Sequence, residues 1–113
     1  MTIEGWIGKT PPSVNHYVRH SMGGRHYRTS EANTFMQMVA IAFRGLRLPK
    51  ARYSVSIHFW LGRGKKMDVD NAPKCCLDAL VRCGAIVSDA YVDELHVEKF
   101  RGEPKTHILV RSL

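Results

Sequence analysis

The chain has 113 residues and an apolar fraction of 44%, the size and composition of one globular domain that can bury a core without disulfides or a structural metal. No apolar run approaches the roughly 20 residues that span a bilayer, and Met1-Thr2-Ile3-Glu4-Gly5 has neither a charged leader nor a long apolar stretch. The expectation is therefore a single cytoplasmic domain over residues 1–113 without a membrane partner. A formal charge of +7 favours a polyanionic partner, because lysines and arginines that neutralise phosphates release condensed counterions.

Residues 2–8 alternate loosely and stop before Pro11-Pro12, which predicts a short first strand. Residues 11–29, rich in Pro, Asn, Gly, His and Arg, show neither helical nor strand period and read as a surface loop. There Arg19, His20, Arg25, His26 and Arg28 are interleaved with Tyr17 and Tyr27, a mixture suited to nucleic-acid backbones and exposed bases. Phe35, Met38, Val39, Ala42, Phe43 and Leu46 then recur at helical spacing, with Thr29 or Ser30 as cap and Gly45 and Pro49 marking the exit.

Over residues 52–61, Tyr53, Val55, Ile57, Phe59 and Leu61 share one face of a predicted strand, with Ser54, Ser56 and His58 on the other. Gly62-Arg63-Gly64-Lys65-Lys66 breaks it with a basic turn, and a second helix is expected from about Asn71 to Cys83, with Pro73 in its first turn and Gly84 just past its end. Cys75, Cys76 and Cys83 are odd in number, form no C-x-x-C pair and fall at helical spacing, so they read as core rather than as a zinc site or disulfide framework. Two closing strands, about 94–101 and 105–112, are expected to form a hairpin across Gly102-Glu103-Pro104. The order is βαβαββ, an α+β domain with a mixed sheet and two helices.

Seven of the ten acidic residues lie between Asp68 and Glu98, while residues 1–50 carry only Glu4 and Glu31. A basic chain with a concentrated acidic patch suits a protein that holds both a polyanion and a metal ion. Asp68 and Asp70 are two residues apart, so they project from one face of an extended segment, or sit within reach of one cation at a helix mouth. A hard ion such as Mg²⁺ takes oxygen ligands and commonly keeps several waters, so two or three carboxylates suffice, and Asp89 is the natural third. The structural alternative is that Asp70 or Asn71 merely caps the second helix. Lys74, four residues after Asp70, falls on the same helix face; it either faces the carboxylates or is an ordinary solvated lysine pairing Asp70 or Asp78. Asp78 reads as a surface partner of Arg82, and Asp93 and Glu94 as strand-edge charge or partners behind the site. An EF-hand would need Asp or Asn and Gly where Ala72 and Pro73 stand, and there is no phosphate-binding G-x-x-x-x-G-K-[ST] run for a nucleotide cofactor.

In order and spacing the chain resembles the RusA family of Holliday junction resolvases, small phage and prophage endonucleases that cut four-way DNA. The likeness rests on Pro11-Pro12-Ser13-Val14-Asn15 with Tyr17 and His20, and on Asp68-Val69-Asp70-Asn71-Ala72-Pro73-Lys74. It continues through Leu77-Asp78-Ala79-Leu80, Gly84, and Ser88-Asp89 with Val92. The resemblance implies a RusA-like fold, Asp68, Asp70 and Asp89 as Mg²⁺-binding catalytic carboxylates, Lys74 as the catalytic lysine, and a homodimer acting in DNA recombination and repair. The chain departs from the pattern at Ser88, where many members carry the first Asp of a pair. Asn15, Arg19, His20, Arg25, Arg28, Lys65 and Lys66 are the expected DNA contacts. The alternatives are a non-catalytic branched-DNA-binding protein of the same fold, or a less selective metal-dependent nuclease.

Overall fold

The computed structural model describes residues 1–13, 18–20 and 26–113. Strand β1 (Thr2–Ile7) is followed by two three-residue strands, β2 (Val18–His20) and β3 (His26–Arg28), which pair antiparallel with Arg19 opposite Tyr27. Helix α1 (Ser30–Ala42), β4 (Tyr53–Leu61), a 3-10 turn at Val69–Asn71 and helix α2 (Pro73–Arg82) come next. A second 3-10 turn at Asp89–Tyr91 leads into β5 (Val92–Arg101), and β6 (Lys105–Ser112) closes the sheet. The small β2–β3 sheet corrects the expectation of a loop without strands: three residues are too few for a period-two pattern to register.

The main sheet runs β1-β6-β4-β5, mixed in sense, with β6 antiparallel to both β1 and β4 and β5 parallel to β4. The α+β class thus holds, but the predicted hairpin does not form, because β4 lies between β5 and β6. Residues 102–104 form an arch over the end of β4, held where the Gly102 N–H donates to the Leu61 carbonyl at 3.1 Å. Two interstrand spacings are only about 9.5 Å, and the four Cα steps from Arg101 to Lys105, each about 3.8 Å, cover that.

Both helices cover one face of the sheet. From α1, Phe35, Met36 and Val39, with Phe43 at its C-terminal cap, are buried against Ile7, Ile57, Phe59, Ile108 and Val110; from α2, Cys75, Cys76, Ala79 and Leu80 join them. Burial pushes the Cys76 thiol well above its usual pKa, and neighbouring Cys75 adds to the shift, as fits a packing residue rather than a ligand. At the crossing of β1 and α1 a Cβ on Gly5 would come within 2.8 Å of the Phe43 ring, so only glycine allows the helix to lie that close. Thr29 caps α1, its Oγ1 accepting from the Ala32 N–H at 3.2 Å, as its spacing before the apolar stripe predicts. The helix ends at Ala42, earlier than the apolar spacing through Leu46 suggests: Phe43 to Gly45 form a turn, with Gly45 at φ 76°.

Two further contacts shape the end of the molecule that carries Asp89. The fully buried Tyr53 hydroxyl donates to the Pro49 carbonyl at 2.8 Å and accepts from the Val87 N–H at 3.3 Å, and the Leu48 N–H donates to the Ala85 carbonyl at 2.9 Å. The loop after α1 is thereby fastened to the loop after α2. Gly84, at φ 82°, makes the reversal between α2 and that loop.

Candidate active site

The D-x-D segment approaches α2 along β5. On the helix-covered side of β5 the register puts Leu95, Val97, Lys99 and Arg101 in one row, opposite Val55, Ile57, Phe59 and Leu61 of β4. The last two of that row are cationic and reach the incoming chain: the Lys99 ammonium donates to the Met67 carbonyl at 3.0 Å, and Arg101 donates to the Lys65 carbonyl. Neither was singled out from sequence, although the change from Leu and Val to Lys and Arg along one strand face is a readable sign that something polar crosses there.

Asp68 and Asp70 are exposed, Asp68 in extended backbone and Asp70 in the 3-10 turn that rests on β5 and α2. The second helix, expected from Asn71, is divided: the 3-10 turn ends at Asn71 and α2 begins at Pro73, which sits at its first position where a missing N–H costs nothing. Neither the turn nor α2 receives a side-chain cap. The capping alternative for Asp70 and Asn71 therefore fails. Among the described residues the carboxylates of Asp68, Asp70 and Asp89 form no ion pair. Unpaired acidic oxygens at the mouth of a helix are suited to a hard cation, so the donor chemistry fits Mg²⁺.

Asp89 opens the second 3-10 turn, which packs against α2. Ser88 caps that turn, its Oγ accepting from the Ala90 N–H at 3.1 Å. A serine and an aspartate both serve as such a cap, which accounts for the departure at this position and leaves Asp89 exposed and free of that duty. Among the described residues of a single chain, no three His, Cys, Asp or Glu side chains converge on one point. Asp68 and Asp70 share one short segment, and Asp89 stands on another.

Lys74 is exposed in the first turn of α2, its ammonium 3.4 Å from Asp78, so its ion-pair partner lies one turn further along the helix. Asp93 and Glu94 are surface charge: Asp93 holds the Arg52 guanidinium at 2.5 Å and raises its pKa, first through that hydrogen bond and then through its charge, while Glu94 lies 3.7 Å from Arg111. Lys65 and Lys66 line a basin of about 770 Å³ together with Arg63 and Arg101. A neighbouring basin places Pro11 and Ser13 beside Lys65, Lys66 and Met67, so the first motif-bearing stretch meets the segment that leads into the second. Arg19, His20 and Arg28 lie in the β2–β3 sheet; Asn15 and Arg25 are outside the described residues.

Residues 8–111 match the family model described as endodeoxyribonuclease RusA. The chain belongs to the RusA family. A crossover junction endodeoxyribonuclease RusA of Escherichia coli K12 is 30% identical over 95 residues, an alignment covering 79% of this chain and 76% of the relative. The counterpart from Enterobacteria phage 82 is 30% identical over 92 residues, with the same coverage of 79% and 76%, and that of Shigella sonnei 30% over 95. Membership in a RusA endodeoxyribonuclease family makes nuclease chemistry the frame for Asp68, Asp70, Lys74 and Asp89. No helix among the described residues is long and apolar enough to cross a membrane.

Proposed function

We propose that the protein is a Mg²⁺-dependent endonuclease that resolves four-way DNA junctions as a homodimer through paired symmetric nicks. The observation that carries this is the state of Asp68 and Asp70: two exposed carboxylates at the entrance to α2, used neither as helix caps nor in ion pairs, in a chain of the RusA family. Asp68, Asp70 and Asp89 would hold the ion. When bound, Mg²⁺ lowers the pKa of a coordinated water and offsets charge on the phosphate. Lys74, on the first turn of the same helix, supplies a further positive charge for the scissile phosphate or the leaving oxygen. Lys65 and Lys66 seat the flanking phosphates ahead of the carboxylates, with Arg63 and Arg101 on the same basin. Asn15, Arg19, His20, Arg25 and Arg28 belong to the same binding role on the other motif-bearing stretch.

A four-way junction has approximate two-fold symmetry, and resolution needs two matched cuts, which a C2 pair of identical sites provides. The dispersal of Asp89 from Asp68 and Asp70 within one chain favours, as the second reading, a junction-binding protein that does not cut. One experiment separates the two: wild type and Asp70→Asn are given a synthetic four-way junction in Mg²⁺ and, in parallel, tested for band shift in EDTA. Both proteins are expected to shift the junction and wild type alone to cut it into nicked duplexes. Cleavage by the variant at the wild-type rate removes the catalytic assignment, and binding without cleavage by wild type establishes the second reading.

A further inference from the structure

The sheet face away from the helices carries a continuous set of planar rings drawn from all four strands. Register places Trp6 of β1 opposite His107 of β6, His107 opposite His58 of β4, and Trp60 of β4 beside Phe100 of β5. Trp6 lies 4.5 Å from His107 and 5.8 Å from Trp60, ring centre to centre; Trp60 stacks on Phe100 at 4.9 Å, and the imidazoles of His58 and His107 stack at 5.9 Å, only 8° from parallel. Trp6 is 57% exposed and Phe100 37%. The solvent side of such a sheet is ordinarily polar, and a contiguous exposed aromatic patch marks a contact surface.

The charges on this face select the partner. The Lys105 ammonium stands 4.6 Å from the Trp60 ring centre and 5.6 Å from that of Trp6. Two carboxylates on this face are engaged by imidazoles, Glu4 with His107 at 2.7 Å and Glu98 with His58 at 3.3 Å, while Glu103 stands in the arch and lines the basin. Among the described residues Lys105 has no carboxylate partner. Trp60, Phe100 and Lys105 also adjoin, in sequence, Leu61, Arg101 and the 102–104 arch, so the rings run up to the basic basin of Arg63, Lys65 and Lys66. Flat rings beside a cationic rim are what single-stranded nucleic acid requires, with bases on the rings and phosphates on the rim.

We infer that this outer face is a second DNA surface, one that stacks unpaired bases of single-stranded DNA, separate from the carboxylates at α2. Trp6 and Trp60 are the only tryptophans in the sequence, so their fluorescence reports on this face alone. The test titrates the wild-type protein in EDTA with a short oligothymidylate and, separately, with inorganic polyphosphate, which has charge but no bases. Without metal nothing is cut, so a protein that never resolves a junction can still pass. Oligothymidylate is expected to quench the fluorescence and polyphosphate to leave it unchanged. Trp6→Ala and Lys105→Gln, with Trp60 still reporting, are each expected to bind the oligonucleotide about tenfold more weakly, with Trp6→Phe restoring most of the affinity. Absence of quenching, equal quenching by polyphosphate, or unchanged affinity in Lys105→Gln overturns the inference. So does a drop in sedimenting mass in Trp6→Ala, because it assigns the face to a second copy of the chain.

Discussion

Tyr53 does at one point what the surrounding backbone cannot do for itself. Its ring is fully buried in the core row of β4, while its hydroxyl answers the Pro49 carbonyl and the Val87 N–H. Without the oxygen both groups lose their partner in a partly buried place, which costs about 1–3 kcal/mol. Tyr53→Phe is therefore expected to lower unfolding free energy in urea by about that amount and to speed amide exchange at Val87. Val87 stands two residues before Asp89, so the same variant is expected to weaken Mg²⁺ activation of cleavage. A variant with wild-type stability and unchanged exchange at Val87 would show that the hydroxyl does not hold this loop. At Lys74 the sequence leaves two orientations open, and the 3.4 Å pair with Asp78 follows the ordinary one-turn spacing of helical charges. The catalytic role proposed for it rests on family membership and position, since a helical lysine paired to a helical aspartate is unremarkable by its chemistry alone.

At the scale of elements, what was readable in the sequence was whatever depends on near neighbours. The alternation of β4, the apolar stripe and Thr29 cap of α1, and Pro73 at the start of α2 all follow from side chains within one or two turns of one another. The D-x-D-N-x-x-K run was legible for the same reason. Strand pairing was not: β5 and β6 follow each other across three residues, the ordinary sign of a hairpin, and only the tertiary structure places β4 between them. The outer ring cluster depends on that pairing, so neither Trp6 nor Phe100 stood out. The ties from Lys99 and Arg101 to the approach segment are also products of register. They predict that Lys99→Met loosens residues 65–68: trypsin should cut more quickly after Lys65 or Lys66, and cleavage of a junction should need several-fold more Mg²⁺. Equal proteolysis and an unchanged Mg²⁺ requirement would mean the segment is held by its packing on β5 and α2 without the lysine.

For the whole molecule the charge distribution is more telling than its sum. The acidic residues concentrate in the second half, and the cations of Arg63, Lys65, Lys66 and Arg101 gather at one end of the sheet, where the carboxylate segment begins. A DNA phosphate seated there meets positive charge before it meets Asp68. Junction affinity in EDTA is expected to fall linearly with the logarithm of salt concentration, and removing both Lys65 and Lys66 by substitution with Gln should lower the slope by about two units. A slope unchanged by the double substitution would move phosphate binding elsewhere on the surface.

The position of β6 has a consequence for how the chain comes to be folded at all. It comes last among the strands of the sheet in chain order, yet it is the one that joins β1 to β4, with Thr2 opposite Arg111 and the Ser112 N–H donating to the Met1 carbonyl at 3.0 Å. Until residues 105–112 have been synthesised, β1 has no neighbour in the main sheet and the core row of β4 lacks one of its two flanks. During translation β1 therefore waits without a neighbour while β4 has only β5 beside it, and the sheet then closes in a late step that brings together segments about a hundred residues apart.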